Sequence, residues 1–252
     1  MLSRCLFVSF FDPSKFTEEA IRSLKTELTD KAIIAASGGV DSTIAAVLAS
    51  RAVGDNLLAI YVDTGYMRLN ESEFVSSMLT ELGVKHKVID ASEKFYAGLK
   101  GIIDPEEKRK IIGELFIRVF EEEARKYGGK LLVQGTIAPD WIESGGGIRD
   151  TIKSHHNVGG LPDDMEMKLC EPIRELYKDE VRILAEFLDV PVAHRQPFPG
   201  PGLAVRVMGE ATPKRTEVVR QACHIVETEL ESASSEGHME APWQYFAVLL
   251  PV

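Results

Sequence analysis

Apolar and polar positions along this chain switch between a helical and a strand period, and the switches lay out its elements. Asp12-Pro13 reads as an N-cap followed by proline in a helix's first turn. Phe16, Ala20, Ile21, Leu24 and Leu28 then recur at helical spacing, which carries that helix to about Leu28. Lys31–Ala36 is a short continuous apolar run, the pattern of a strand covered on both faces. Ser37-Gly38-Gly39 interrupts it, and Asp41–Ala52 returns to helix formers. Leu57–Val62 predicts a second buried strand, Glu71–Leu82 an amphipathic helix, and Val84–Ile89 a third strand. Asp104-Pro105 caps a long helix that Gly128-Gly129 stops after Tyr127, and Leu131–Gln134 is a fourth strand.

Strands alternating with helices specify βαβ units, so the expected fold is α/β: a parallel twisted sheet with helices on both faces. Ligands of such sheets sit beyond the carboxyl ends of the strands. Three segments leave those ends, Ser37–Ser42, Asp63–Arg68 and Gln134–Asp140, and all are polar or carry glycine. From Gly135 to about Lys168 the apolar periodicity disappears, and the stretch holds Gly145-Gly146-Gly147, Gly159-Gly160, Lys153, His155 and His156. An irregular segment this long reads as a lid, a binding loop or a disordered stretch, the lid being placed over about residues 137–168. Beyond it come a helix near Lys178–Leu188, a proline-rich turn at Gln196–Gly202, a helix over Pro213–Glu231, and a strand-like run at Trp243–Leu250. Glu121-Glu122-Glu123 reads as a solvated helix face, and His86, His194, His224 and His238 as surface or packing residues without a partner.

Composition narrows the classes. Apolar residues make up 44% and charged residues 27% of the 252, an ordinary globular balance. A net charge of −10 disfavours sequence-independent nucleic-acid binding, which needs a surplus of Lys and Arg. Cys5, Cys170 and Cys223 are scattered, without a zinc spacing, and point to a reducing cytoplasm. The apolar opening Met1–Phe11 is short and lacks a cleavage site, and no stretch reaches the ~18 apolar residues of a membrane span. The expectation is a cytoplasmic protein with neither nucleic acid nor membrane as a partner.

The sharpest motif is Ser37-Gly38-Gly39-Val40-Asp41-Ser42, between the first strand and its helix. Glycines let the backbone approach phosphate oxygens, and N–H groups at a helix start point at the anion. Ser37 and Ser42 add hydroxyls, and Asp41 is a candidate ligand for Mg²⁺ bridging the phosphates. The bland reading is a glycine turn. The pattern GxxxxGK[ST] is absent, so this is a different phosphate loop. The motif resembles the pyrophosphate loop of the N-type ATP pyrophosphatases, whose fold is called adenine nucleotide alpha hydrolase-like. Asp63 is equally readable as a nucleotide contact or as an ordinary strand-ending residue, and Arg68 shares that ambiguity.

Later segments narrow the resemblance. Gln134-Gly135-Thr136-Ile137-Ala138-Pro139-Asp140-Trp141-Ile142-Glu143-Ser144 resembles the segment that opens the lid of GMP synthetases. Ile152-Lys153-Ser154-His155-His156-Asn157-Val158-Gly159-Gly160-Leu161-Pro162 is similar to their lid signature, and Pro197–Arg206 to their proline-rich turn. The likeness runs in order from about Phe11 to the last residue and is to the ATP-pyrophosphatase subunit of the two-subunit, archaeal type. It implies the reaction XMP + ATP + NH₃ → GMP + AMP + PPi through an adenylylated base. ATP would be held by Ser37, Gly38, Gly39, Val40, Asp41, Ser42, Thr43, Asp63 and Gly135, with Mg²⁺ on Asp41. Asp140, Glu143, Lys153, His155 and His156 would act catalytically from the lid. It also implies an ATP pyrophosphatase domain over 11–195, the start of an α+β dimerisation and XMP-binding domain over 196–252, a separate glutamine amidotransferase subunit supplying ammonia, and a homodimer for the full-length family member. In the family further residues follow the segment resembling Trp243–Val252, so the second domain reads as incomplete. Two other readings stand beside this one: an ATP-binding remnant without catalysis, and a tRNA-modifying adenylyltransferase, which the acidic charge weakens.

Overall fold

A computed structural model describes residues 11–143, 167–193, 195–240 and 242–251. The first helix, α1 (Pro13–Glu27), starts where its cap dictates: Asp12 Oδ1 accepts from the N–H groups of Ser14 and Lys15 at 3.0 and 3.1 Å. There follow β1 (Ala32–Ala35), α2 (Val40–Val53), β2 (Leu57–Asp63), α3 (Glu71–Glu81), β3 (His86–Asp90) and α4 (Ser92–Gly98). The long helix α5 (Pro105–Tyr127) is capped by Asp104 and ends on Gly128, whose φ of 77° suits glycine. Then come β4 (Leu131–Val133), α6 (Ala138–Glu143), β5 (Lys168–Cys170), α7 (Lys178–Phe187) and α8 (Pro213–Ser235).

The five strands are ordered β3-β2-β1-β4-β5, and every pair is parallel. The central strands are apolar throughout because each face buries its own core. Leu57, Ala59 and Tyr61 point to one side with α1, α2, α3 and α7, while Leu58, Ile60 and Val62 point to the other with α4, α5 and α8. The expected α/β architecture is therefore present. The chain builds β2 and β3 to one side of β1, then β4 and β5 to the other. The direction reverses between β1 and β4, and that crevice is where such sheets take ligands.

Some local readings change. α4, α6 and β5 are too short to leave a period in the sequence, at 7, 6 and 3 residues. Residues 138–143 of the expected irregular stretch are helical, and β5 begins at its far end. Trp243–Leu250 is not a strand: among the described residues it makes one bridge, Val207 to Leu249, with no neighbouring strand there to extend it. The three glutamates of α5 are not a uniformly solvated face, since Glu121 and Glu123 are buried. Glu123 bonds Lys87 of β3 at 2.5 Å and Lys126 at 2.8 Å. His86 has partners too, Ser76 Oγ at 2.9 Å and the Val84 carbonyl at 3.0 Å. No helix among the described residues is long and apolar enough to cross a membrane.

Candidate functional site

The turn from β1 into α2 begins at Ser37 and is held by its own side chains. Ser37 Oγ and Ser42 Oγ lie 2.9 Å apart, Gly39 N–H donates to Ser37 Oγ at 3.3 Å, and Thr43 Oγ1 donates to the Gly39 carbonyl at 2.8 Å. Gly38 has a φ of 75°, a left-handed turn that brings the chain into α2 with Gly39 as N-cap. Gly39 contributes no side chain, so the first N–H groups of the fourteen-residue α2 remain available to an anion. From the adjacent strand, Gly135 packs directly on this helix start. A Cβ there would lie 2.8 Å from Asp41 C and Ser42 N. Ser37, Gly38, Gly39, Val40, Asp41, Ser42, Thr43 and Gly135 are thus one constellation at the switch point.

Asp41 has a partner that the sequence did not reveal. Lys178, the first residue of α7, donates to both of its oxygens, at 2.8 and 2.7 Å. Burial pushes the Asp41 carboxyl up from its ordinary value, the Lys178 ammonium pulls it back, and the charge of Asp140 adds to the rise. The sequence does hold a clue to Lys178. A lysine in a helix's first turn opposes the macrodipole, and a local rule broken that way points to a distant anion. Arg182, one turn on, adds positive potential at Asp41.

Asp140 is exposed on α6, and its Oδ2 accepts from the Ile137 N–H at 2.9 Å, which turns the chain into that helix. Asp63 spends its carboxylate on the turn after β2, accepting from Gly65 N–H at 2.8 Å and from Ser72 Oγ. Arg68 faces the later part of the chain, donating to the Gln196 carbonyl at 3.1 Å and lying over the Phe198 ring. Lys153, His155, His156 and His194 lie outside the described residues, as does the side chain of Glu143. Among the described residues no three His, Cys, Asp or Glu side chains cluster to cage a metal. Asp41 suits the other arrangement, a Mg²⁺ that arrives with phosphates and takes one or two protein carboxylates.

The family model for NAD synthase matches residues 14–118. A subunit of the glutamine-hydrolysing GMP synthase of Methanopyrus kandleri is 57% identical over 244 residues, which is 95% of this chain and 76% of that protein. The subunit of the same name from Pyrococcus horikoshii is 56% identical over 245 residues, 96% of this chain and 77% of its own. In three dimensions the NMN synthetase of Francisella tularensis superposes with a TM-score of 0.57 at 16% identity, over 96% of this chain and all of that one. That likeness supports the fold, while the sequence identities speak to kinship. The chain belongs to the same family as these glutamine-hydrolysing GMP synthase subunits.

Proposed function

We propose that the chain is the synthetase subunit that makes GMP, adenylylating XMP with ATP and aminating it with ammonia from a separate glutamine amidotransferase subunit. The observation that carries this reading is the anion-ready loop at the switch point, closed by Gly135 and Lys178, in a chain of this family. The C2 oxygen of the xanthine ring attacks the α-phosphorus, the bond to the β-phosphate oxygen breaks, and pyrophosphate leaves. Ammonia then adds at C2, AMP departs with the former C2 oxygen, and the surplus protons pass to solvent.

The protein's part is electrostatic. The N–H groups at the start of α2 and the Ser37 and Ser42 hydroxyls bind the leaving pyrophosphate, where charge develops. Lys178 stands within reach of the same loop and neutralises that charge, with Arg182 behind it. Mg²⁺ on Asp41 would supply further charge neutralisation when bound. Asp140 belongs to the rim of the site, and Glu143, Lys153, His155 and His156 are assigned to the reaction by motif position alone. Residues 137–168 are assigned as the lid that keeps water from the adenylylated intermediate. Residues 11–195 are assigned to the nucleotide half, and 196–252 to the acceptor half and the homodimer contact.

The test is pyrophosphate release by the full chain with ATP, Mg²⁺ and ammonium, with and without XMP. The expected result is XMP-dependent release with GMP formed. Asp41→Asn and Lys178→Ala should each lower that rate by about 10²–10³-fold with the circular dichroism unchanged, the range for removing one preorganised charge. ATP binding without any effect of XMP would overturn the reading in favour of an ATP-binding remnant.

A further inference from the structure

An ion pair on a buried carboxylate, outside the catalytic set, links the phosphate loop to the second half of the chain. Glu71, the first residue of α3, is 3% exposed, and its two oxygens accept from Arg195 Nη1 and Nη2 at 2.7 Å each. This is a bidentate fork, which fixes direction as well as distance. The Arg195 guanidinium also lies over the Phe74 ring at 4.6 Å, which limits its tilt. On its other side the same carboxylate abuts the phosphate loop. A Cβ at Gly38 would sit 3.0 Å from Glu71 Oε1 and 2.9 Å from Val75 Cγ2. The gap between Gly38 and α3 is thus too narrow for a methyl group, and a shift of Gly38 across it meets Glu71 and Val75.

The residue after Arg195 carries the contact onward. The Gln196 carbonyl accepts from Arg68, its Nε2 donates to Glu227 of α8 at 3.0 Å, and its Oε1 accepts from the Tyr245 N–H at 3.1 Å. A few residues later the Leu203 N–H donates to the Tyr66 carbonyl at 2.7 Å, on the loop that leads into Glu71. Gly38, Glu71, Arg195 and Gln196 thus form one packed series from the phosphate loop to α8 and residues 242–251.

We propose that Glu71 and Arg195 are positioning residues that couple occupancy of the phosphate loop to residues 196–251, so that the triphosphate and the acceptor nucleotide bind cooperatively. An anion drawn onto the start of α2 displaces or stiffens Gly38. The carboxylate packed against Gly38 responds, and the fork transmits the response because its two bonds tolerate little lateral slip. Such coupling is reciprocal, so an acceptor held by the second half tightens the triphosphate in turn. The acceptor's identity rests on the proposed function. The coupling itself is readable with nucleotide alone.

The experiment is amide hydrogen exchange over residues 196–211 of the full chain, with and without α,β-methylene-ATP and Mg²⁺, beside calorimetric nucleotide affinities. Wild type, Glu71→Gln, Arg195→Lys and the double variant Glu71→Gln/Arg195→Gln are compared, since spatial intermediacy alone does not establish a route. In wild type the nucleotide should slow exchange at the Leu203 amide by about tenfold, a typical coupling. Glu71→Gln and the double variant should still bind nucleotide but lose that slowing. Arg195→Lys keeps the charge, loses the fork, and should retain part of it, which keeps the test alive if an unpaired guanidinium unfolds the Gln variant. Equal slowing in wild type and variants would overturn the proposal, and so would nucleotide binding to wild type that leaves 196–211 untouched. Binding and slowing without XMP-dependent pyrophosphate release would sink the functional reading and leave the coupling intact.

Discussion

The phosphate loop and the belt that joins residues 63–71 to residues 195–227 meet at Gly38, yet they are specified in opposite ways. The loop's turn is held by contacts between near neighbours, Ser37 with Ser42, Ser37 with Gly39 and Gly39 with Thr43, and Lys178 and Gly135 reach it from farther along the chain. In the belt they span the chain, with Arg195 on Glu71 124 positions away and Arg68 on Glu227 159 positions away. Tyr66 Oη donates to the Ala211 carbonyl, and Arg220 donates to the carbonyls of Gly65 and Met67. A locally written site travels as a motif and can be found by reading six residues. A site written across distance exists only once the whole sheet has formed, and no single segment announces it.

The most severe test of this division is at Gly202. Its φ is 63°, and a Cβ there would lie 2.3 Å from the Tyr66 carbonyl oxygen, so Gly202→Ala adds a backbone clash to a strained conformation. Gly128 has the same kind of φ, 77°, with open space around it. Urea denaturation should show Gly128→Ala costing about 1 kcal/mol. Gly202→Ala should cost more than about 3 kcal/mol, because the belt must open to admit the methyl group. Equal costs for the two would mean that the belt is compliant and that the contrast with the loop is overstated.

The same contrast explains what was legible in the sequence. Buried strands reveal themselves because both faces are apolar, as Leu57–Val62 is, and long helices because caps and stops bracket them, as Asp104 and Gly128 do for α5. The loop was readable because its glycines and hydroxyls act on their own neighbours. Lys178, Glu71 and Arg195 were not, since each has its partner more than a hundred positions away and no spacing rule connects them. Arg68 was ambiguous as sequence for the same reason, since it serves the belt. Asp63 was ambiguous for another: it spends its carboxylate nearby, on the Gly65 N–H and on Ser72 of α3. The strand-like run at Trp243–Leu250 misled because a strand needs a partner as well as apolar residues, and among the described residues only Leu249 finds one.

A second test weighs the belt's neighbour on the face of the sheet that α5 and α8 share. Lys108 of α5 is 1% exposed, and its ammonium donates to the carbonyls of Ala204, Val207 and Gly209 at 3.1, 2.8 and 2.5 Å. Burial holds its pKa below the ordinary lysine value. Lys108→Met keeps the length and apolar stem but removes three bonds to buried carbonyls, and should cost about 2–3 kcal/mol in urea denaturation. Asp41→Asn, a change at the local site, should leave the denaturation midpoint nearly unmoved while it removes activity. If both variants unfold alike, the division into a locally and a globally specified region fails.

The finest test compares two adjacent residues of α5 that the sequence treats identically. Glu122 is exposed and bonds Lys126, within its own helix turn, whereas Glu123 is buried and reaches across to Lys87 on the edge strand β3. Bonds from Lys126 and Lys87 hold the Glu123 carboxyl below its ordinary value of 4.5. The folded state therefore binds that proton less readily than the unfolded chain. Its contribution is complete above pH 4.5 and is lost as pH falls through the depressed folded value. Both lysines are about half exposed, so solvent screening limits the contribution to about 0.5–1 kcal/mol. At neutral pH, Glu123→Gln should lower stability by that amount, and the difference from wild type should vanish as the solution is acidified. Glu122→Gln should show no measurable change at any pH, because the exposed Glu122 side chain is solvated with or without its bond and Lys126 keeps Glu123 as a partner, whereas the Glu123 carboxylate holds helix to sheet.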